Sequence, residues 1–410
     1  MKGWVLQAAG ACAAAVVVAC GGGVAPEGSV GAVDSAGVRI VVSDPEARGI
    51  PRWRVGAEPV LVLGALDGPP EVQFDQVRAA VRLEDGAIAV ADGGAAQEVR
   101  LFAPDGTFLR RIGRRGGGPG EFDALAGLWA LPGDTLVAYD ARGDRVSYFS
   151  WDGTLLREGT LPLRSMQWVV RTVLGPFRDD HFVAVLDEKP SDPSTPRDGP
   201  VRDSSLLVLA RLGGAELDTV GWTPAHQMYL VVLRGDGETA QMYALPPGWP
   251  QTHIAAGPRR LFVAHSGEFD VRALDPRGTQ ELRIRLAMKP QPVSLGDLER
   301  WNTTYVTDEQ VRPIWKQVRA RVVESARAPE ARPAHGELFA DREGNLWVSQ
   351  WRPPGDTSAV AWWVFHPDGA LRAIVQTPAR SRLLDAGRGY VLTLQHDEYG
   401  VAYVHLNRVE

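Results

Sequence analysis

Cysteine, lysine and asparagine are all scarce in this chain of 410 residues. Its two cysteines, Cys12 and Cys20, are too few for a disulfide framework or a cysteine-rich zinc site. Four lysines stand against forty arginines, and acids outnumber bases to give a net charge of −6. Nucleic-acid binders ordinarily carry a basic excess, so that class of partner is excluded. The scattered arginines read as compositional bias, the sharper alternative being guanidinium forks that recognise carboxylate or phosphate. Also missing are a HExxH pair, a GxSxG elbow and a glycine loop closed by Lys-Ser/Thr, which removes the corresponding zinc, serine-nucleophile and phosphate-loop chemistries. What the chain has in plenty is glycine (45) and proline (30), a composition of many turns rather than long helices. With 44% hydrophobic and 23% charged residues, disorder along the whole length is excluded.

Residues 1–20 read MKGWVLQAAGACAAAVVVAC: one positive charge at Lys2, then an apolar run too short to span a bilayer, ending at a cysteine. That order is signal-peptide grammar. The run Val17-Val18-Ala19-Cys20 resembles the lipobox of bacterial lipoproteins. The resemblance implies cleavage before Cys20 and acylation of its thiol and amine. Several acyl chains together anchor a protein stably, where a single chain binds only marginally. Cys12 competes as a site, but cleavage there leaves AAAVVVA exposed on the mature chain. The alternative is an ordinary secretory signal with a coincidental cysteine. Gly21, rather than aspartate, follows the cysteine, which by the same resemblance favours the outer membrane. The expected organisation is a signal peptide at 1–19, a lipidated flexible tether at 20–37 and a folded unit at 38–410, held outside the cytoplasm.

Two segments of the folded unit align without effort: LEDGAIAVADGGAAQEVRLFAPDGTFLRRIG (83–113) and LPGDTLVAYDARGDRVSYFSWDGTLLREG (131–159). Each gives a polar turn, a short apolar strand, a loop, a strand ending in an aromatic, an Asp-Gly turn and another strand. The first strand of the pair recurs at 182–187, 261–266, 345–351 and 389–396, and the second at 205–214, 269–278, 361–369 and 401–409. Six units with a base step of about 45 residues, enlarged in places, are the signature of propeller blades carrying insertions. The last unit ends at Glu410 without a fourth strand. The amino-terminal segment offers two spare strands, VRIVVS (38–43) and PVLVLG (59–64), one of which is expected to complete the sixth blade and cover its edge.

The run Ile112-Gly-Arg-Arg-Gly-Gly-Gly-Pro-Gly-Glu-Phe122 resembles the GPGEF link of NHL-type six-bladed propellers. The hairpin Asp341-Arg-Glu-Gly-Asn-Leu-Trp-Val348 is similar to the turn shared by NHL, gluconolactonase-type and sensor (TolB-like) propellers. The resemblance covers roughly 38–410 and implies an all-β, six-bladed β-propeller closed by an N-terminal strand. These motifs specify fold more than function. Glycines there permit positive φ and close approach of blades, and Phe122 is placed to wedge between them.

Three insertions interrupt the repeat. Residues 187–204 hold four prolines and many charges and read as a long exposed loop. Residues 223–252 link the third and fourth units, with Pro246-Pro247 as a hinge or rigid turn. Residues 292–334, between blades 4 and 5, switch to a helical period. Ser294 is placed to cap a short helix, and Thr307-Asp-Glu-Gln310 forms a capping box. Val311, Trp315, Val318 and Val322 then share one face, with Pro313 expected to kink the helix or delay its start. The insertion either packs on the propeller rim or forms a lid over the axial channel.

In propellers, ligands usually meet the loops that follow the second strand of each blade. By blade register those positions hold Asp92, Asp140, Asp187 with Glu188, His265 with Glu268, Trp351 with Arg352, and His396 with Asp397 and Glu398. Such carboxylates and imidazoles can ligate a divalent cation or serve as general acid and base. They can equally accept backbone hydrogen bonds in turns, as Asp92-Gly93-Gly94 and Asp140-Ala-Arg-Gly143 suggest. Gluconolactonase-type propellers bind a metal through glutamate, asparagine and aspartate on different blades. Here the only asparagines are Asn302, Asn345 and Asn407, none at those positions, which departs from that pattern. The leading expectation is a non-enzymatic module whose axial face binds a protein or small-molecule ligand. A metal-dependent lactonase or hydrolase, or a glycan binder using Trp351, are the alternatives.

Overall fold

A computed structural model describes residues 29–410, except 166, 179, 189–197, 202, 236–237, 247, 295, 298–311, 326–330 and 354. The expected signal peptide, Cys20, the capping box at 307–310 and most of the 187–204 loop lie outside the described residues.

Four strands open the chain: β1 (Ser29–Ser35), β2 (Val38–Ser43), β3 (Arg52–Arg54) and β4 (Leu61–Leu63). Blade 1 follows as β5 (Val77–Arg82), β6 (Ile88–Asp92), β7 (Glu98–Phe102) and β8 (Phe108–Ile112), and blade 2 as β9 (Leu125–Leu131), β10 (Thr135–Asp140), β11 (Arg145–Phe149) and β12 (Leu155–Thr160). The two middle strands of a blade are buried on both faces, so IAVAD and EVRLF carry apolar residues or paired charges throughout. The outer strand FLRRI alternates, because one face meets water. The turn between third and fourth strands repeats as Asp105-Gly106-Thr107 and Asp152-Gly153-Thr154. Each aspartate accepts the threonine N–H, at 2.9 and 3.0 Å, and each glycine takes a positive φ.

Blade 3 consists of β13 (Trp168–Arg178), β14 (His181–Glu188), β16 (Ser204–Arg211) and β17 (Leu217–Pro224). A separate three-stranded sheet is made from β15 (Gly199–Val201), β18 (Met228–Gly235) and β19 (Glu238–Ala244). Blade 4 is β20 (Thr252–Ala256), β21 (Leu261–His265), β22 (Asp270–Leu274) and β23 (Gln280–Leu286). Helix α1 (Arg312–Ser325) precedes blade 5, which is β24 (Leu338–Ala340), β25 (Leu346–Ser349), β26 (Val360–Phe365) and β27 (Leu371–Thr377). Blade 6 contributes β28 (Arg382–Gly387), β29 (Tyr390–His396) and β30 (Ala402–Arg408).

Six apolar clusters, one between each neighbouring pair of blades, hold the sheets together. The cluster of Phe74, Ile88 and Phe102 with Leu392 and Val404 joins blade 6 to blade 1, so the sheets form a closed ring. Phe122, fully buried, wedges between blades 1 and 2 against Phe149, with ring centroids 6.1 Å apart. Gly113 at φ +71° makes room for it, since a Cβ there would overlap the Phe122 ring. The six-bladed, all-β propeller expected from the repeats is the observed fold.

The amino-terminal strands do more than close the ring. β4 pairs antiparallel with β30 and supplies the missing fourth strand of blade 6, at the second of the two expected positions. β2 instead runs parallel to β23 on the outside of blade 4, and β3 runs parallel to β27 on the outside of blade 5. β1 folds back on β2 through Ala36-Gly37, both at positive φ, as a two-residue hairpin requires. Strand structure therefore reaches into the stretch expected to be tether.

Residues 223–252, expected only as a link, contain the β18–β19 hairpin. Its apolar face (Tyr229, Val231, Ala244) packs on Val318 and Val322 of α1, both almost fully buried, with Trp249 and Trp315 at the margin. The helical face expected at 315, 318 and 322 is thus the face that meets this sheet, and Val311, the fourth expected position, lies outside the described residues. Pro313 lies in the first turn of α1 as described, where a missing N–H costs nothing. At the root of the insertion, Ser294 and Asp297 cap each other reciprocally, at 2.9 and 3.2 Å, and Arg332 bonds both Asp297 oxygens. The hairpin, β15 and α1 together form a small module with its own core, set on the ring at blades 3 to 5.

Candidate functional site

Every blade has one face where its first strand starts and its second strand ends. In blades 1 and 2 the second strand ends in Asp92 and Asp140. Asp92 accepts the N–H groups of Asp75 and Gln76 and pairs with Arg100 at 3.2 Å. Asp140 accepts from Asp123, Ala124 and Arg142 and pairs with Arg145 at 3.5 Å. Both are at most 2% exposed. Their oxygens fasten the inter-blade link to the strand end, which is joint chemistry.

Blade 3 treats the corresponding aspartate differently. Asp187 pairs in register with Val169, as Asp92 does with Val77, yet it accepts the Ser205 hydroxyl at 2.5 Å and faces Arg171 at 3.8 Å. Arg171 is part of a polar cluster that sequence spacing does not disclose: His226, His253, His265 and His335 gather beside it. The His253 and His335 rings meet edge to face at 5.6 Å, and His335 also packs on Phe269. Burial, with His335, His226 and Arg171 nearby, pushes His253 down to about 3. Burial likewise lowers His335 to about 4, and lowers His226, helped by Arg171. His265, which contacts the Thr252 hydroxyl at 3.1 Å, is also lowered by burial. These imidazoles are neutral at pH 7, and each presents one donor and one acceptor. Among the described residues no group of three or more His, Cys, Asp or Glu side chains is placed to hold a metal ion.

Beside this cluster lies the larger of two adjoining cavities, about 710 Å³ in volume. The module forms one wall with Trp249, Trp315 and Arg319; the ring forms the other with Gln251, Glu337 and Trp351. Arg352, Trp362 and Arg382 complete the blade 5 and 6 side. A second cavity of about 560 Å³, between blade 4 and the insertion root, shares Gln350 and Trp351 with the first. Trp351 is half-buried, with the Arg332 guanidinium 5.9 Å from its ring centre.

Of the residues singled out from sequence, Trp351 and Arg352 line the larger cavity and Glu268 the smaller. His265 stands in the histidine cluster, while Asp92 and Asp140 are buried joints. His396 is exposed, and Asp397 braces the β29–β30 turn by accepting from Tyr399, Val401 and the Tyr403 hydroxyl. The ring does not bring these eight residues to one point. Sequence reasoning missed Arg171, His226, Gln251, His253 and His335. The one available signal was that four of eight histidines sit at strand ends or links of consecutive blades.

A family model, DUF5128, described as a 6-bladed beta-propeller, matches residues 67–172. The chain resembles the six-bladed propellers. No curated protein matches the sequence. Similar solved structures include a putative exported protein from Bacteroides fragilis, 11% identical, with a TM-score of 0.45 over 90% of this chain and 99% of that one. A member of the DUF4221 family from Bacteroides vulgatus is 9% identical, with a TM-score of 0.49 over 88% and 98%. Virginiamycin B lyase from Staphylococcus aureus is 8% identical, with a TM-score of 0.38 over 87% and 99%. At these values none of the three bears on what this propeller binds or does.

Proposed function

We propose that this propeller is an extracytoplasmic, lipid-anchored binding protein that takes its ligand in the cavity between the ring and the inserted module. The observation that carries the reading is that cavity: about 710 Å³, within the range of ligand sites, and walled by two separately cored units. Three half-buried tryptophans, Trp249, Trp315 and Trp351, supply apolar surface beside polar groups that orient a ligand. The address rests on the charged start, short apolar run and Val-Val-Ala-Cys ending of residues 1–20.

Native mass spectrometry of the full lipidated protein, purified in detergent from its own envelope, tests the site. A co-purifying small molecule is expected in the parent and is lost in Trp315→Ala and Arg319→Ala. An identical spectrum in parent and variants would sink the proposal. Labelled palmitate tests the anchor: Cys20→Ala is expected to abolish incorporation and Cys12→Ala to leave it intact.

A further inference from the structure

We infer that the end of blades 3 to 5 that carries both cavities is turned towards the lipid bilayer, with the module in the gap between ring and membrane. The inference rests on the reading of Cys20 as the lipid anchor and says which surface that anchor presents to its partner, the bilayer.

The point where the chain joins the ring comes first. Strands alternate in direction within a blade, so the fourth strand ends at the same face as the second. In blade 4 the fourth strand is β23, and its last residue, Leu286, lies beside Ser43 at the end of the parallel strand β2. β1 runs back along β2, with Ser29 opposite Ser43 and Gly31 opposite Val42. The chain coming from Cys20 therefore enters the fold at the cavity end of blade 4. Val42 and Leu286, beside that point of entry, line the smaller cavity, as do Met288 and Lys289.

Length decides the orientation. β1 takes up Ser29–Ser35 of the stretch expected as tether, which leaves nine residues from Cys20 to Ser29. A chain gains at most about 3.3–3.6 Å per residue, so nine reach about 30 Å when fully stretched. A Gly-rich coil of that length averages about 17 Å end to end. β23 is seven residues long and, at about 3.3 Å per residue, spans about 23 Å. To bring the opposite end of blade 4 to the bilayer, the tether would have to run the length of β23 almost fully stretched. With the cavity end towards the bilayer it keeps its conformational freedom, which is the state of higher chain entropy.

Exposed side chains at the cavity end suit such a boundary. Val169 and Trp222 on blade 3, and Leu245 and Ile314 on the module, are between 41% and 56% exposed. Trp222 leans on Trp168, with ring centres 5.7 Å apart. Indoles favour the lipid–water boundary because one part of the ring system is apolar and the N–H stays wet. The opposite end also exposes Leu109, Trp151 and Leu156 on blades 1 and 2, so it is the tether that chooses between the two ends.

The test places one thiol at each end of blade 4 in the full-length lipidated protein. Lys289→Cys lies beside the smaller cavity and Arg277→Cys in the turn before β23, both at exposed positions. On the anchor reading Cys12 leaves with the signal and Cys20 is acylated, so the new thiol alone takes a fluorescent donor. Vesicles of phosphatidylethanolamine and phosphatidylglycerol carry an acceptor dye on some headgroups. Energy transfer is expected to be about twofold stronger from position 289 than from 277, given the length of strand between them. Inserting about twenty Gly/Ser residues between Glu27 and Gly28 is expected to remove most of that difference. Flotation with vesicles and thermal unfolding are recorded for every variant. If Cys20→Ala floats as the parent does, the anchor reading falls and the inference with it. If the parent floats through Cys20 but transfer from 277 equals or exceeds that from 289, the anchor stands and the orientation is overturned. A difference that survives the longer tether overturns the tether as its cause.

Discussion

At the scale of single residues, the ring uses ionisable groups in three distinct ways. Asp92 and Asp140 are buried anions satisfied by backbone N–H groups and an arginine. Removing one such partner leaves the other charge stranded, which ordinarily costs about 3–5 kcal/mol. Asp92→Ala is expected to fall short of that, at about 1–3 kcal/mol, because Arg100 keeps Glu98 at 2.7 Å and it is the Asp75 and Gln76 N–H groups that lose their acceptor. Urea unfolding of parent and variant measures it, and a difference under about 1 kcal/mol contradicts the joint assignment.

Asp385 is the second kind. It accepts the N–H of Arg82, a bond from blade 6 to blade 1, and the Tyr390 hydroxyl at 3.0 Å, yet burial raises it to about 6 from an ordinary 3.8. A carboxyl raised on folding stabilises fully below its unfolded value, and that contribution disappears as pH climbs through the folded value. Whatever its absolute stability, Asp385→Asn is expected to improve relative to the parent between pH 4 and 7, by about 2 kcal/mol or more. Melting curves across that window check the slope, and parallel curves refute it.

The histidines run the opposite way. His253 and His335 fold as neutral bases lowered to about 3 and about 4, while the unfolded chain titrates near 6.5. Below 6.5 the unfolded state binds more protons, so their contribution is present above that pH and is lost as pH falls towards the folded values. His253→Phe is expected to weaken the acid sensitivity between pH 6.5 and 4. The melting temperature of the variant, relative to the parent, should rise as pH falls; a constant offset refutes the assignment.

Elements show how a repeated pattern tolerates additions. A blade needs two middle strands buried on both faces, and those appear in the sequence as unbroken apolar runs such as FVAVL (182–186) and LFVA (261–264). Outer positions are less constrained, so a passing segment can pair there. β2 and β3 do so in parallel, and β4 does so at the one place where a strand is missing. Removal of the chain up to Gly49 is expected to leave a closed ring, whereas removal past Leu63 exposes the β30 edge and opens the interface of blades 6 and 1. Limited proteolysis and gel filtration distinguish the two truncations. Equal behaviour of both contradicts the role given to β4. The helix α1 was legible from its period because Val318 and Val322 had to find an apolar partner. That partner, the β18–β19 hairpin, was not legible: its residues MYLVVL (228–233) carry no signal of which face they would cover.

For the whole molecule, closure is the decisive event. The blades bury their faces against one another, and the ring closes where Leu63 and Leu406 meet Phe74 and Phe102. Closure also sets the blade 3, 4 and 5 ends side by side, and the module rises over them. Sequence alone determined the number of blades, the two recurring strands of each, the Phe122 wedge and the place of the helix, because each follows from local periodicity or a turn motif. The site was a different matter. Arg171, His226, Gln251, His335 and Trp351 are separated by up to 180 positions along the chain. Nothing local to any of them demands the others. Only ring closure brings them near, and only the packing of the module on the ring leaves a cavity there. Burial and neighbouring charge, which set the histidine protonation, are properties of that assembled neighbourhood. Asp92 and Asp140, which looked like the same kind of residue as Asp187 in the sequence, were separated from it by a tertiary fact: the first two accept the N–H groups of an inter-blade link, whereas Asp187 accepts the Ser205 hydroxyl.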